Sequence, residues 1–176
     1  RWNWEGWETM TDNRPPISAK VRIFWTPETL LVQVLVKDKV FFQPHTGGGM
    51  WNADSVQLAF QNRPNGQARP EFSELIAGLT PGGPMLCLSA RETPAPSGVM
   101  SASTLEVVQQ GDRTLYTLKL NAAEAGLKLA AGHRLGFALL VNNNDGAGRL
   151  GWLEWGGGIG SAKMPSEYKL LLLNGT

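Results

Sequence analysis

The run Gly47-Gly48-Gly49-Met50-Trp51-Asn52-Ala53-Asp54-Ser55-Val56-Gln57-Leu58-Ala59-Phe60 holds the residues with most chemistry to offer. A glycine loop delivers a tryptophan to the mouth of a strand. An acid and polar groups follow within a few residues, and then an alternating apolar run. A flat indole stacks on the C–H face of a flat, hydroxyl-rich ligand such as a sugar ring. Polar groups close behind it satisfy the hydroxyls. The competing role for Trp51 is simple burial in the core, because tryptophan is a large hydrophobe.

A second stretch runs Asn142-Asn143-Asn144-Asp145-Gly146-Ala147-Gly148-Arg149-Leu150-Gly151-Trp152-Leu153-Glu154-Trp155. Asn and Asp oxygens bunched in a turn are hard donors of the kind calcium prefers. The same side chains equally satisfy turn backbone, and their spacing is not that of the helical calcium hand. Trp152 and Trp155 are three residues apart, so a regular strand points them to opposite faces. Leu153 shares a face with Trp155, which favours Trp152 as the exposed ring. The glycines at 156–158 leave open a swing of Trp155 into a loop-walled cleft.

Catalysis finds no support in the pattern. Hydrolysis of a sugar polymer uses two facing carboxylates, but the acids are scattered and no pair stands out. No serine elbow or phosphate loop occurs. His45 and His133 each lack a histidine or cysteine at metal-ligand spacing, and read as solvated or structural. Cys87, the single cysteine, lies in the apolar stretch 85–88 and reads as a buried thiol.

The elements that must position these residues read as strands. Val32, Val34 and Val36 alternate with Leu31, Gln33 and Leu35. Leu135, Phe137, Leu139 and Val141 alternate with Gly136, Ala138 and Leu140. Similar runs at 20–25, 55–60, 84–90, 104–109, 114–120, 151–155 and 168–173 bring the expected number to about nine, with a hairpin at 110–113. Asn121-Ala122-Ala123-Glu124 has the form of a capping box, with Gly126 as the stop. It predicts one short connecting helix. Residues 62–70 and 92–98 read as long loops. Trp2, Trp4 and Trp7 are expected to pack on the body as an added strand.

Of 176 residues, 18% are charged, with 21 glycines and 11 prolines. This composition favours a loop-rich, all-β domain over a helical bundle. The expected architecture is a single antiparallel β-sandwich, jelly-roll-like, spanning 1–176. A net charge of +1 gives no electrostatic footprint for nucleic acid. No apolar run is long enough to span a bilayer. The start at Arg1, without a signal peptide, reads as an excised domain or a mature form.

Strand 31–38, the Trp51-to-Gln57 segment and the stretch from Gly136 through Asn142–Gly146 to Trp155 together resemble carbohydrate-binding module family nine and the β-sandwich domains related to it. The resemblance spans about residues 17–173. It implies a β-sandwich with structural calcium, for which Asp38, Asp54, Asn144 and Asp145 are the candidate ligands. It also implies a secreted, non-catalytic module attached to a polysaccharide-degrading enzyme. The best-known family members grip the reducing end of a glucan or xylan chain between two tryptophans. Trp51 matches the first, and Trp152 or Trp155 is placed to be the second. A glutamate in the family stands where this chain has Gln57, which both donates and accepts. Gln57, Asn142 and Arg149 are the expected hydroxyl partners, and the expected partner is a polysaccharide or oligosaccharide. Two other readings compete. One is an accessory packing module without a sugar site. The other is a haem domain using Met50, Met100 or Met164 with His45 or His133.

Overall fold

A computed structural model describes residues 8–11, 17–91, 98–160 and 162–175. The strands are β1 (Glu8–Thr11), β2 (Ser18–Trp25), β3 (Thr29–Lys37), β4 (Ser55–Asn62), β5 (Ser73–Thr80), β6 (Gly83–Arg91), β7 (Gly98–Val99), β8 (Thr104–Gln110), β9 (Arg113–Asn121), β10 (Arg134–Asn144), β11 (Arg149–Trp155) and β12 (Lys169–Leu172). They form two sheets of antiparallel pairs. The first has the order β1-β2-β3-β9-β8. The second has the order β11-β10-β4-β5-β6-β7, with β12 also on β10. The long β10 shares one edge between two partners: Arg134–Phe137 pair with β12, and Leu139–Asn144 with β11. The chain is thus the all-β sandwich that its alternation predicts.

The main core lies between the sheets. The first sheet supplies Val21, Leu30, Val32, Val34, Leu118 and Leu120, while the second supplies Val56, Leu58, Phe60, Leu75, Phe137, Leu139 and Leu153. β3 shows the period of two cleanly, with buried residues at every other position. The hairpin at 110–113 forms as expected, with Gly111 at φ +60°. The helix is the single turn Ala122–Ala125 (α1). Asn121 caps it by accepting from the Glu124 N–H, and left-handed Gly126 ends it. The Glu124 carboxylate departs from the capping box: it accepts from the Ser101 and Ala102 amides, while Ser103 Oγ takes the Asn121 N–H.

The second sheet is covered on its outer face too, and this decides where a site can be. A 3₁₀ turn, Gly47–Asn52, presses Met50 onto Ile76 and Cys87. Beyond β11, residues 156–160 and 162–168 fold back so that Ile159 and Tyr168 cover Ala59, Ala138 and Leu140. Glu154 Oε1 accepts from the Ile159 and Gly160 amides, and Arg63 donates to the carbonyls of Pro165 and Tyr168. Gly158, at φ +92°, makes the fold-back possible, since a Cβ there collides with the Met164 carbonyl. Gly158→Ala combines a left-handed backbone with that collision. It is expected to cost about 2 kcal/mol or more and to speed amide exchange in 156–160 and 162–168 first.

The sequence expectation for Trp2, Trp4 and Trp7 lies outside the described residues, as does that for most of the 92–98 loop. Cys87 is buried, and burial raises its thiol pKa. Met50 and Met100 are sealed in separate apolar clusters and Met164 is on the surface, so the three candidate haem methionines share no pocket. No helix among the described residues is long and apolar enough to cross a membrane.

Candidate ligand groove

Between the two covers of the second sheet runs a groove of about 330 Å³, with Trp51 and Gly48 on its rim and Gln57, Glu74, Arg149 and Lys163 along it. That volume is at the lower end of the ~300–1,000 Å³ range of small-molecule pockets. Trp51 is the penultimate residue of the 3₁₀ turn, where Met50 anchors the turn on the sheet and leaves the next side chain outside. Its residue is 47% exposed, so it is not a core tryptophan.

The floor is one continuous chain of polar contacts on the outward positions of β4, β5, β10 and β11. Arg149 donates from Nε and Nη2 to Asn142 Oδ1 at 3.0 and 2.6 Å. Asn142 Nδ2 donates to Gln57 Oε1 at 2.9 Å and to Ser55 Oγ at 3.0 Å. Gln57 Nε2 donates to Glu74 Oε1 at 2.9 Å. Lys163 Nζ closes the chain on both Glu74 oxygens, at 2.7 and 2.6 Å. Its ends fix its direction. A guanidinium only donates and a carboxylate only accepts, so each amide between them has one workable orientation. This accounts for Gln57: a glutamate there would set a second carboxylate against Glu74, whereas the amide donates to it.

Aromatic contacts hold the arginine end. The Arg149 guanidinium carbon is 4.3 Å from the Trp152 ring centroid and 5.4 Å from that of Trp51, so one cation bridges both indoles. Burial lowers the Arg149 pKa, and the Glu154 charge opposes that shift. Trp152 lies on the outer face, opposite Asn142, but it is half-buried against the Ile159 and Tyr168 cover and is not the exposed ring that parity favours. Trp155 keeps the β11 register, opposite Leu139. It faces the main core, with its ring 5.4 Å edge-on from Phe137. The glycines after it do not swing it into the groove.

The acidic residues gather at the end of the sandwich. Asp54 accepts from the Phe42 amide at 2.6 Å and the Asn144 amide at 2.8 Å. Burial pushes its carboxyl up to about 7, and the charges of Asp38 and Asp145 push the same way. Burial, with Asp145 adding to it, also raises Asp38. Asn144 is spent on structure: its Oδ1 accepts from Gly146 and Gly148, and its Nδ2 donates to the Asn52 carbonyl. Its neighbour Asn143 is fully buried, with no hydrogen-bond partner for either amide atom among the described residues. No three His, Cys, Asp or Glu side chains converge as a metal cluster among those residues. Asp54 does feel the charges of Asp38 and Asp145, a repulsion of the kind a hard cation relieves.

A family model described as carbohydrate family 9 binding domain-like matches residues 3–175. The chain belongs to this family. Its fold is similar to that of a carbohydrate binding module family 9 from Caldicellulosiruptor kristjanssonii in complex with cellotriose, with a TM-score of 0.74 at 16% identity over 98% of this chain and 85% of that one. It is also similar to one from the same organism in complex with glucose, with a TM-score of 0.70 at 17% identity over 98% and 87% of the two chains. No curated protein matches.

Of the groove residues in this family 9 domain, the sequence pointed to Trp51, Gln57, Asn142, Arg149 and Trp152. It missed Glu74 and Lys163. Glu74 is 2% exposed, and its signal was a lone acid opening the apolar run Leu75-Ile76-Ala77. Lys163 lies in a loop whose path no periodicity reveals.

Proposed function

We propose that this family 9 domain is a non-catalytic saccharide-binding module that stacks a sugar ring on Trp51. The exposed indole at the rim of a groove with a hydrogen-bonding floor carries the reading. Gln57 and Lys163 offer hydroxyl partners beside the ring, while Asn142 and Trp152 hold Arg149 in place from below and behind. The family and the sugars bound by its two structural neighbours support a glucan-type oligosaccharide as the first ligand to try. Module status beside a secreted polysaccharide-degrading enzyme rests on the family alone. A calcium ion held by Asp38, Asp54 and Asp145, with Asn143 as the amide donor, is part of the same proposal. The ion would tie the β4 entrance to the β10–β11 turn.

The test is calorimetric titration of glucose and cellotriose into wild type and Trp51→Ala. A module of this kind is expected to bind with micromolar affinity, near −8 kcal/mol. Trp51→Ala is expected to weaken binding by about 100-fold, from the loss of the stacked aromatic surface. Its melting temperature should be unchanged, because the ring is exposed. Absence of heat from every oligosaccharide with wild type would end this reading.

A further inference from the structure

The two cations of the groove are matched differently. At one end Lys163 and Glu74 cancel, with Nζ 2.6 Å from the carboxylate. At the other end Arg149 has no bonded counter-charge: its hydrogen-bond acceptor is an amide oxygen, and it makes no ion pair among the described residues. Glu154 is the acid that acts on it. That carboxylate is turned to other work, with Oε1 accepting from Ile159 and Gly160 and Oε2 from Trp152 Nε1 at 3.4 Å.

The unused part of Arg149 has a definite shape. Nε and Nη2 both converge on Asn142 Oδ1, so one side of the guanidinium is occupied. The opposite edge, where Nη1 and Nη2 present parallel N–H groups, has no hydrogen-bond partner among the described residues. Such an edge matches the two oxygens of a planar carboxylate, and a single hydroxyl satisfies only one of its donors. Two indoles and the Asn142 amide hold the group in place before any ligand arrives, so little side-chain entropy remains to be lost on binding.

We infer that the groove selects a carboxylate-bearing sugar, a uronate residue, whose acid group docks on the free Nη1/Nη2 edge of Arg149 while its ring lies on Trp51. This rests on the saccharide reading above and adds the substrate class. In wild type the interaction replaces water on a half-buried guanidinium with a charge-assisted, bidentate pair. Its neutral methyl ester keeps the ring and loses the charge and one acceptor.

The experiment is calorimetry at low salt with three ligands of one backbone: a glucuronate-terminated disaccharide, its methyl ester and the neutral glucose-terminated parent. They are titrated into wild type, Arg149→Lys and Arg149→Gln. Wild type is expected to bind the acid about tenfold more tightly than the ester, the difference between a charge-assisted and a neutral hydrogen-bonded contact. Arg149→Gln is expected to bring acid and ester within about twofold. Arg149→Lys, a point charge without the fork, should keep part of the preference. Equal binding of acid and ester by wild type overturns this inference and leaves the saccharide reading standing, with Arg149 then a spacer for the two rings. Failure of all three ligands removes both. The wild-type comparison is independent of whether either variant folds.

Discussion

Lys163→Met is expected to destabilise the protein by about 3 kcal/mol, more than its position on a surface loop suggests. The reason is Glu74, which is 2% exposed and has both oxygens on the Lys163 ammonium. Removing the cation leaves a buried carboxylate with only the Gln57 amide from this chain of contacts. Breaking a buried pair from one side costs about 3–5 kcal/mol, whereas replacing both partners is often near neutral. Lys163 is half-exposed, so water reaching the vacated corner puts the expectation at the low end. Glu74→Gln combined with Lys163→Met should recover most of the loss, because a neutral amide needs no counter-charge. Urea unfolding of wild type, both single variants and the double variant should give a coupling energy of about 1.5 kcal/mol or more. Strictly additive losses would show that the pair is a solvated surface contact, and the fixed direction of the groove floor would lose its anchor.

That anchor bears on how the site discriminates. A hydroxyl both donates and accepts, so a floor of freely turning amides would accept many ligand orientations. Here Glu74 at one end and Arg149 at the other set every amide between them, and the remaining donors of Gln57 and Arg149 are presented in fixed positions. Asn142 touches the groove only through these two. Its substitution is thus a positioning change, acting through what it orients.

Legibility of the molecule in its sequence follows burial on one face or two. β3 is covered on one face and half-open on the other, so its valines alternate and the strand is plain in the sequence. β5 is buried on both faces, under the core and under Met50. Its run Ser73-Glu74-Leu75-Ile76-Ala77 shows no alternation, so the period of two that marks the other strands is missing there. With β5 went Glu74, the acid on which the floor depends. Trp152 and Trp155 show an intermediate case: parity sets their faces in a regular strand but leaves a swing at the glycines open, and it is the register through Leu139 that closes it. Asn143 and Asn144 are adjacent and of one type, and only the fold separates them. One feeds the turn amides and the other is sealed without partners. No local pattern distinguishes neighbours whose difference is which side of the sheet they face.

Asp54 gives the second large effect. With divalent ions chelated, unfolding free energy is expected to fall as pH rises from about 4 to above 7. The folded carboxyl holds its proton up to about 7 because it is buried beside Asp38 and Asp145, whereas in the unfolded chain it lets go near the usual ~3.9. Between those values the folded state binds more protons, so the slope of stability against pH is negative. The gap of about three pH units corresponds to on the order of 4 kcal/mol, an upper bound for a site that water partly reaches. His133 works in the opposite sense toward neutral pH, since burial and Lys128 hold its pKa down and stability rises as it sheds its proton. Asp54→Asn isolates the carboxyl: its stability curve in chelator should lack the fall between pH 4 and 7, even if losing one backbone acceptor shifts its level. Added calcium is expected to restore wild-type stability at pH 8, where Asp54 is ionised, and to have little effect at pH 4.5, where it is protonated. A wild-type curve parallel to that of Asp54→Asn would mean that the carboxyl is not held protonated. An unchanged melting temperature with calcium at pH 8 would remove the ion from the proposal.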